Sequence, residues 1–113
     1  MSRNQEALID IIESIQLINQ YTEGVTPEAL TVNIEKQDAI LRRIIIIGEA
    51  TKRLTKDFRN QHPSIPWKEI AGMRDVLTHD YDEVDLDEIW TVISENLPPL
   101  LTYIEQLITS ENN

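Results

Sequence analysis

Apolar positions recur every three or four residues along almost the whole chain, which is the period of an α-helix. Leu8, Ile11, Ile12, Ile15 and Ile18 form one stripe and predict a helix over 4–21. Glu23-Gly24 ends it, because glycine takes the left-handed conformation that closes many helices. Thr26-Pro27-Glu28 reads as a new start, with Thr as cap and Pro in the first turn, where its missing N–H is not needed. Leu30-Thr31-Val32 interrupts that turn and Asn33 can cap the next helix. Ile40, Ile44, Ile47, Thr51, Leu54 and Phe58 then predict one long helix over 34–60.

Ile44 to Ile47 are consecutive isoleucines, so this helix is locally apolar nearly all round. Such a helix is buried on more than one side. Its second face is covered either by its own chain or by another subunit. Gly48 beside the isoleucines removes a side chain and permits close helix approach. His62-Pro63-Ser64-Ile65-Pro66 is a connector, and Pro66 opens a third helix expected over 67–78. Asp85 with Glu88 three residues on has the form of a capping box that opens a fourth. Its apolar face runs from Ile89 to Ile108, with a kink or break expected at Pro98-Pro99. No strand pattern and no internal repeat appears. The expected fold is all-α, an antiparallel bundle of four or five helices forming one domain over residues 1–113.

Composition agrees with this reading. A chain of 113 residues, 41% hydrophobic, supports one ordinary core. The absence of cysteine excludes disulfides and thiolate metal sites. The longest apolar run, Ile44 to Gly48, is far below the ~20 residues of a membrane span. The polar start Met1-Ser2-Arg3-Asn4-Gln5-Glu6 does not resemble a signal peptide. A cytoplasmic location is expected.

Charge changes the picture more. The net charge is −10, which at first argues against a nucleic-acid partner. Yet nine of the ten cations lie within residues 36–74, a segment of net +5 between flanks of −5 and −10. Either the cations of this middle third pair with acidic neighbours, or they line a groove for an anionic ligand.

One cation breaks the helical pattern. On a wheel of the third helix, Arg74 falls inside the arc of Trp67, Ile70 and Leu77. A charge in an apolar face is costly unless it snorkels to water, pairs with an acid such as Asp75 or Glu49, or faces a cleft. His79 follows five residues later, then Asp80 and Tyr81. Positions five apart do not share a face of one straight helix. Either the helix ends near Thr78 and the chain turns His79 back, or the pair meets its copies across a dimer interface. Histidine moves protons near neutral pH, and arginine matches phosphate with a charged fork. Together they suit cleavage of an RNA phosphodiester without a metal. A two-fold axis would supply one histidine as acid and another as base.

The segment Arg74-Asp75-Val76-Leu77-Thr78-His79-Asp80-Tyr81 reads Arg, four residues, His, one residue, Tyr. It resembles the signature of HEPN-domain ribonuclease toxins, in the HepT-like branch paired with MNT nucleotidyltransferase antitoxins. The stretches from Gln37 to Arg43, Ile47 to Ala50, Pro63 to Trp67 and Ile70 to Asp75 are similar to that branch too. The resemblance implies a helical homodimer whose two motifs share one cleft, acting as a metal-independent endoribonuclease with no cofactor. It implies that Arg74 binds the scissile phosphate, that His79 transfers protons, and that Asp75 orients one of them. It also implies that the antitoxin silences the toxin by transferring AMP to Tyr81, placing bulk and negative charge at the mouth of the cleft.

The other candidates have plainer readings. His62 precedes a proline in the connector and reads as a loop residue. The acids from Asp80 to Glu88 lack the glycine turn of a calcium loop and suit a helix start, so no metal is expected. Trp67 and Trp90 sit at core spacing. A second function class stays open: a non-catalytic helical partner that only positions a nucleotidyltransferase.

Overall fold

The computed structural model describes residues 2–73, 78–79 and 83–112, with backbone alone at 78–79, 83–84 and 111–112. The elements are α1 (Arg3–Thr22), α2 (Pro27–Thr31), α3 (Ile34–Arg53), α4 (Lys56–Gln61), α5 (Trp67–Ala71), β1 (Thr78–His79), β2 (Glu83–Val84), α6 (Leu86–Thr91), a π-helical turn (Val92–Asn96) and α7 (Leu97–Asn112). The fold is all-α apart from the two-residue ladder β1–β2. That ladder was not legible in the hydrophobic pattern, because two residues are too few to show a period.

Caps start the helices where the sequence places them. The Ser2 and Gln5 side chains bond each other's backbone N–H in a capping box at α1. The Thr26, Asn33 and Asp85 side chains accept from the N–H three residues on, opening α2, α3 and α6. Gly24 has φ of 71°, the left-handed conformation expected of it.

The core is the aliphatic stripe of α1 laid against α3. Leu8, Ile11, Ile15 and Ile18 face Ile40, Ile44 and Ile47, all fully buried. Burying each such side chain is worth about 1.5–3 kcal/mol. Ile89, Leu97, Leu100 and Ile104 close the core from the C-terminal helices.

Three expected boundaries are corrected. The helix expected over 34–60 is two helices, because Thr55 caps α4 through the Phe58 N–H and is itself held from α1. Asn4 Oδ1 accepts from the Thr55 N–H at 2.9 Å and Asn4 Nδ2 donates to Thr55 Oγ1 at 3.2 Å. A contact fifty-one residues away fixes the break, and periodicity cannot carry it. The third helix does not run unbroken to Thr78. It closes at Gly72, whose N–H bonds the Lys68 carbonyl, and Thr78 and His79 are extended. Pro98-Pro99 does not split the last helix into separated pieces. The backbone widens by one residue per turn just before them, with the Leu97 N–H reaching the Val92 carbonyl, and continues as α7. The wide turn lies immediately before the two prolines, which have no N–H to donate into it.

Candidate active site

The segment that carries the candidate chemistry is held at both ends by well-packed helices. On the N-terminal side, Trp67, Ile70 and Met73 are 5, 7 and 8% exposed, so α5 and the residue after Gly72 are anchored in the core. The Trp67 indole N–H donates to the His62 carbonyl at 2.9 Å, fixing the connector against the start of α5. Beneath α5 runs α3. A Cβ built on Gly48 would stand 3.1 Å from the Ala71 carbonyl oxygen, so only glycine allows this approach without displacement. On the C-terminal side, the Asp85 cap and buried Ile89 fix α6 immediately after β2. Between them β1 and β2 pair antiparallel, with Thr78 opposite Val84 and His79 opposite Glu83.

Of the predicted site residues, the backbone of His79 is placed, in an extended strand. The helix expected to reach about Thr78 is corrected at its end, where Thr78 and His79 are extended; residues 74–77 lie outside the described residues. Arg74, Asp75 and Tyr81 lie outside the described residues. So do Asp80 and Asp82 of the acidic run. Among the described residues no group of three His, Asp or Glu side chains is arranged to hold a metal ion.

Five cations of the middle third fall into two sets. Arg53 pairs with Asp10 on α1, and the Lys36 ammonium donates to the Tyr21 carbonyl at 2.7 Å. These two serve the fold. Lys52, Lys56 and Lys68 are exposed and have no acidic partner among the described residues. Lys52 lies one turn beyond Gly48 on α3, and Lys68 lies on α5 itself, so both belong to the elements that approach the motif.

His62 has a partner that sequence reasoning missed. Its Nδ1 is 2.8 Å from the Tyr103 hydroxyl on α7, and its ring stacks on Phe58 with centroids 4.5 Å apart. Phe58, His62, Trp67 and Tyr103 thus join α4, the connector and α7 in one aromatic cluster. Nothing local in the sequence pairs residues 62 and 103. Trp67 is core, as its spacing predicts, and Trp90 packs partly buried against that core.

Ile44 and Ile47 are buried, whereas Ile45 and Ile46 are only half-buried within the chain. Val32, just after α2, and Ile34, the first residue of α3, are 83 and 69% exposed. Ile34 and Ile45 share one side of α3, three helical turns apart. The four-isoleucine run is therefore fully covered by its own chain at Ile44 and Ile47 and only partly at Ile45 and Ile46.

Residues 11–107 match the family described as Ribonuclease HepT-like. The chain belongs to the HepT-like ribonuclease family. It is 39% identical over 104 residues to the "Probable ribonuclease HepT" of Thermococcus cleftensis, covering 92% of this chain and 94% of that protein. It is 44% identical over 107 residues to a Methanocaldococcus jannaschii protein named "Gamma-glutamylcyclotransferase and putative RNase", covering 91% of this chain. The chain spans 48% of that longer relative. No solved structure matches. Among the described residues no helix of this HepT-like chain is long and apolar enough to cross a membrane.

Proposed function

We propose that this HepT-like chain is a metal-independent endoribonuclease, with Arg74 and His79 as its catalytic residues. The observation that carries the reading is the motif Arg74 to Tyr81 set between two core-anchored helices in a chain of the HepT-like family. The Arg74 guanidinium neutralises charge that builds on the phosphoryl oxygens during attack. The His79 imidazole takes the proton of the ribose 2′-hydroxyl or gives one to the leaving 5′-oxygen. Asp75 orients one of these two groups. The reaction yields a 2′,3′-cyclic phosphate and a free 5′-hydroxyl.

The active form is a homodimer. One histidine cannot serve both proton transfers at once, and a two-fold axis supplies a second copy of each group. Exposed Ile34 and half-buried Ile45 on one side of α3, with half-buried Ile46 beside them, support such an interface because a helix apolar all round calls for cover on both sides. RNA reaches the cleft along Lys52, Lys56 and Lys68, while the acidic flanks repel indiscriminate contacts.

The chain acts as the toxin of a HEPN/MNT toxin–antitoxin pair. Its partner is a nucleotidyltransferase that transfers AMP to Tyr81. The added AMP brings bulk and negative charge to the mouth of the cleft and blocks RNA by sterics and repulsion. Purified protein incubated with cellular RNA in excess chelator tests the reading. Cleavage that persists and leaves cyclic phosphate ends supports it. Complete loss of cleavage in chelator, or 5′-phosphate ends, overturns it.

A further inference from the structure

A recess of about 370 Å³ lies between the connector, α5 and the helix that runs through the π turn into α7. Its floor is apolar, built from Ile65, Ile70, Met73, Val92, Pro99 and Leu100. Its rim is acidic: Glu69, Glu88 and Glu95 line it, and all three are exposed. No lining residue among those described is cationic, and no described cation pairs with any of the three carboxylates. The exposed lysines 52 and 56 lie on other elements, and Lys68, next to Glu69 on α5, is not among the lining residues.

The carboxylates and the apolar floor together form a surface that repels phosphate and attracts a cationic group on an aliphatic stem.

We propose that this recess docks a basic amphipathic segment of a partner polypeptide, seating an arginine or lysine stem and a neighbouring aliphatic side chain. The charged head meets the ring of Glu69, Glu88 and Glu95, and the aliphatic parts cover Ile70, Val92 and Leu100. RNA is excluded from this face by the same three charges. A volume near the low end of the ~300–1,000 Å³ range of ligand sites fits one or two side chains rather than a whole domain surface, which makes it an anchor point within a wider contact.

Methyl-resolved NMR titration of the full chain tests this with three probes. These are an amphipathic helical peptide of leucine, alanine and arginine, its counterpart with glutamate for arginine, and spermidine. The arginine peptide should bind and shift the methyl signals of Ile70, Met73, Val92 and Leu100. Binding should weaken roughly tenfold or more in the double variant Glu88→Lys/Glu95→Lys, the scale of losing a charge pair. The glutamate peptide should not bind there. The proposal is overturned if the arginine peptide does not bind, if both peptides bind alike, or if charge reversal changes nothing. It is overturned equally if the shifts map to Ile45 and Ile46, which would mark the face of α3 instead. Spermidine binding as tightly as the arginine peptide would replace the polypeptide with a small polycation.

Discussion

Gly48 on α3 lies directly beneath the Ala71 carbonyl at the end of α5, close enough that a methyl group there would stand 3.1 Å from the oxygen. That oxygen belongs to backbone, so relief requires α5 to move, and with it the approach to Arg74. Gly48→Ala gains about 1 kcal/mol of helix propensity against this crowding, so its net effect on stability should be small. Gly48→Val adds bulk that α5 cannot avoid and should cost about 1–3 kcal/mol in a denaturant titration. In both variants RNA cleavage should fall further than stability, because the displaced element leads into the motif. Cleavage unchanged in Gly48→Val would show that the α3–α5 contact does not position the site.

His62 and Tyr103 bind each other across 41 residues of sequence, and the pair lies in a cluster that joins α4 to α7. Tyr103→Phe removes one hydrogen bond and should lower stability by about 1 kcal/mol. The rate of RNA cleavage should stay close to wild type, because this histidine belongs to the fold. Loss of cleavage without loss of stability in Tyr103→Phe would make His62 a member of the active site.

Ile45 and Ile46 are the half of the isoleucine run that the chain covers only in part, outside its core cluster. Ile45→Lys/Ile46→Lys should leave the helical fold intact, since neither side chain belongs to the core. It should convert a dimer to a monomer in sedimentation and abolish cleavage together with it. A double variant that remains dimeric would place the subunit interface elsewhere.

Thr55 shows how a long-range contact supports a local feature. Its side chain caps α4 while its backbone N–H is held by Asn4. Asn4→Ala should destabilise by about 1 kcal/mol and loosen the α3–α4 break. Hydrogen exchange at Phe58 and Thr55 should accelerate before that of α1. Equal acceleration throughout would mean that the break is held by packing instead.

The sequence made the helices legible because each long one carries an unbroken apolar stripe and a recognisable cap. Ser2 and Thr55 were the exceptions among the caps: Gln5, the partner of Ser2, lies in a polar stretch before the first apolar residue of the stripe, and Thr55 sits within a stripe that runs on to Phe58. The boundaries near Thr55, Gly72 and Pro98 were not legible for one shared reason. Each depends on something other than the local pattern: a bond from Asn4, the close passage of α3 at Gly48, and a wide turn that keeps the helix running past two prolines. The motif from Arg74 to Tyr81 stands out in the sequence, because a charge in an apolar arc followed by a histidine conflicts with simple packing, and of its proposed site residues only the backbone of His79 lies within the described residues. The pairing of His62 with Tyr103 and the acidic recess were invisible, because both bring together residues from distant segments.

The central claim is that Arg74 and His79 perform the cleavage, and alanine substitution at each, assayed on RNA with the dimer and helical content verified, tests it most directly. Loss of His79 as proton carrier should slow cleavage by about 10²–10⁴-fold, with a comparable loss for Arg74. Folded, dimeric Arg74→Ala and His79→Ala proteins that cleave RNA at the wild-type rate would contradict the account and leave the chain a non-catalytic partner.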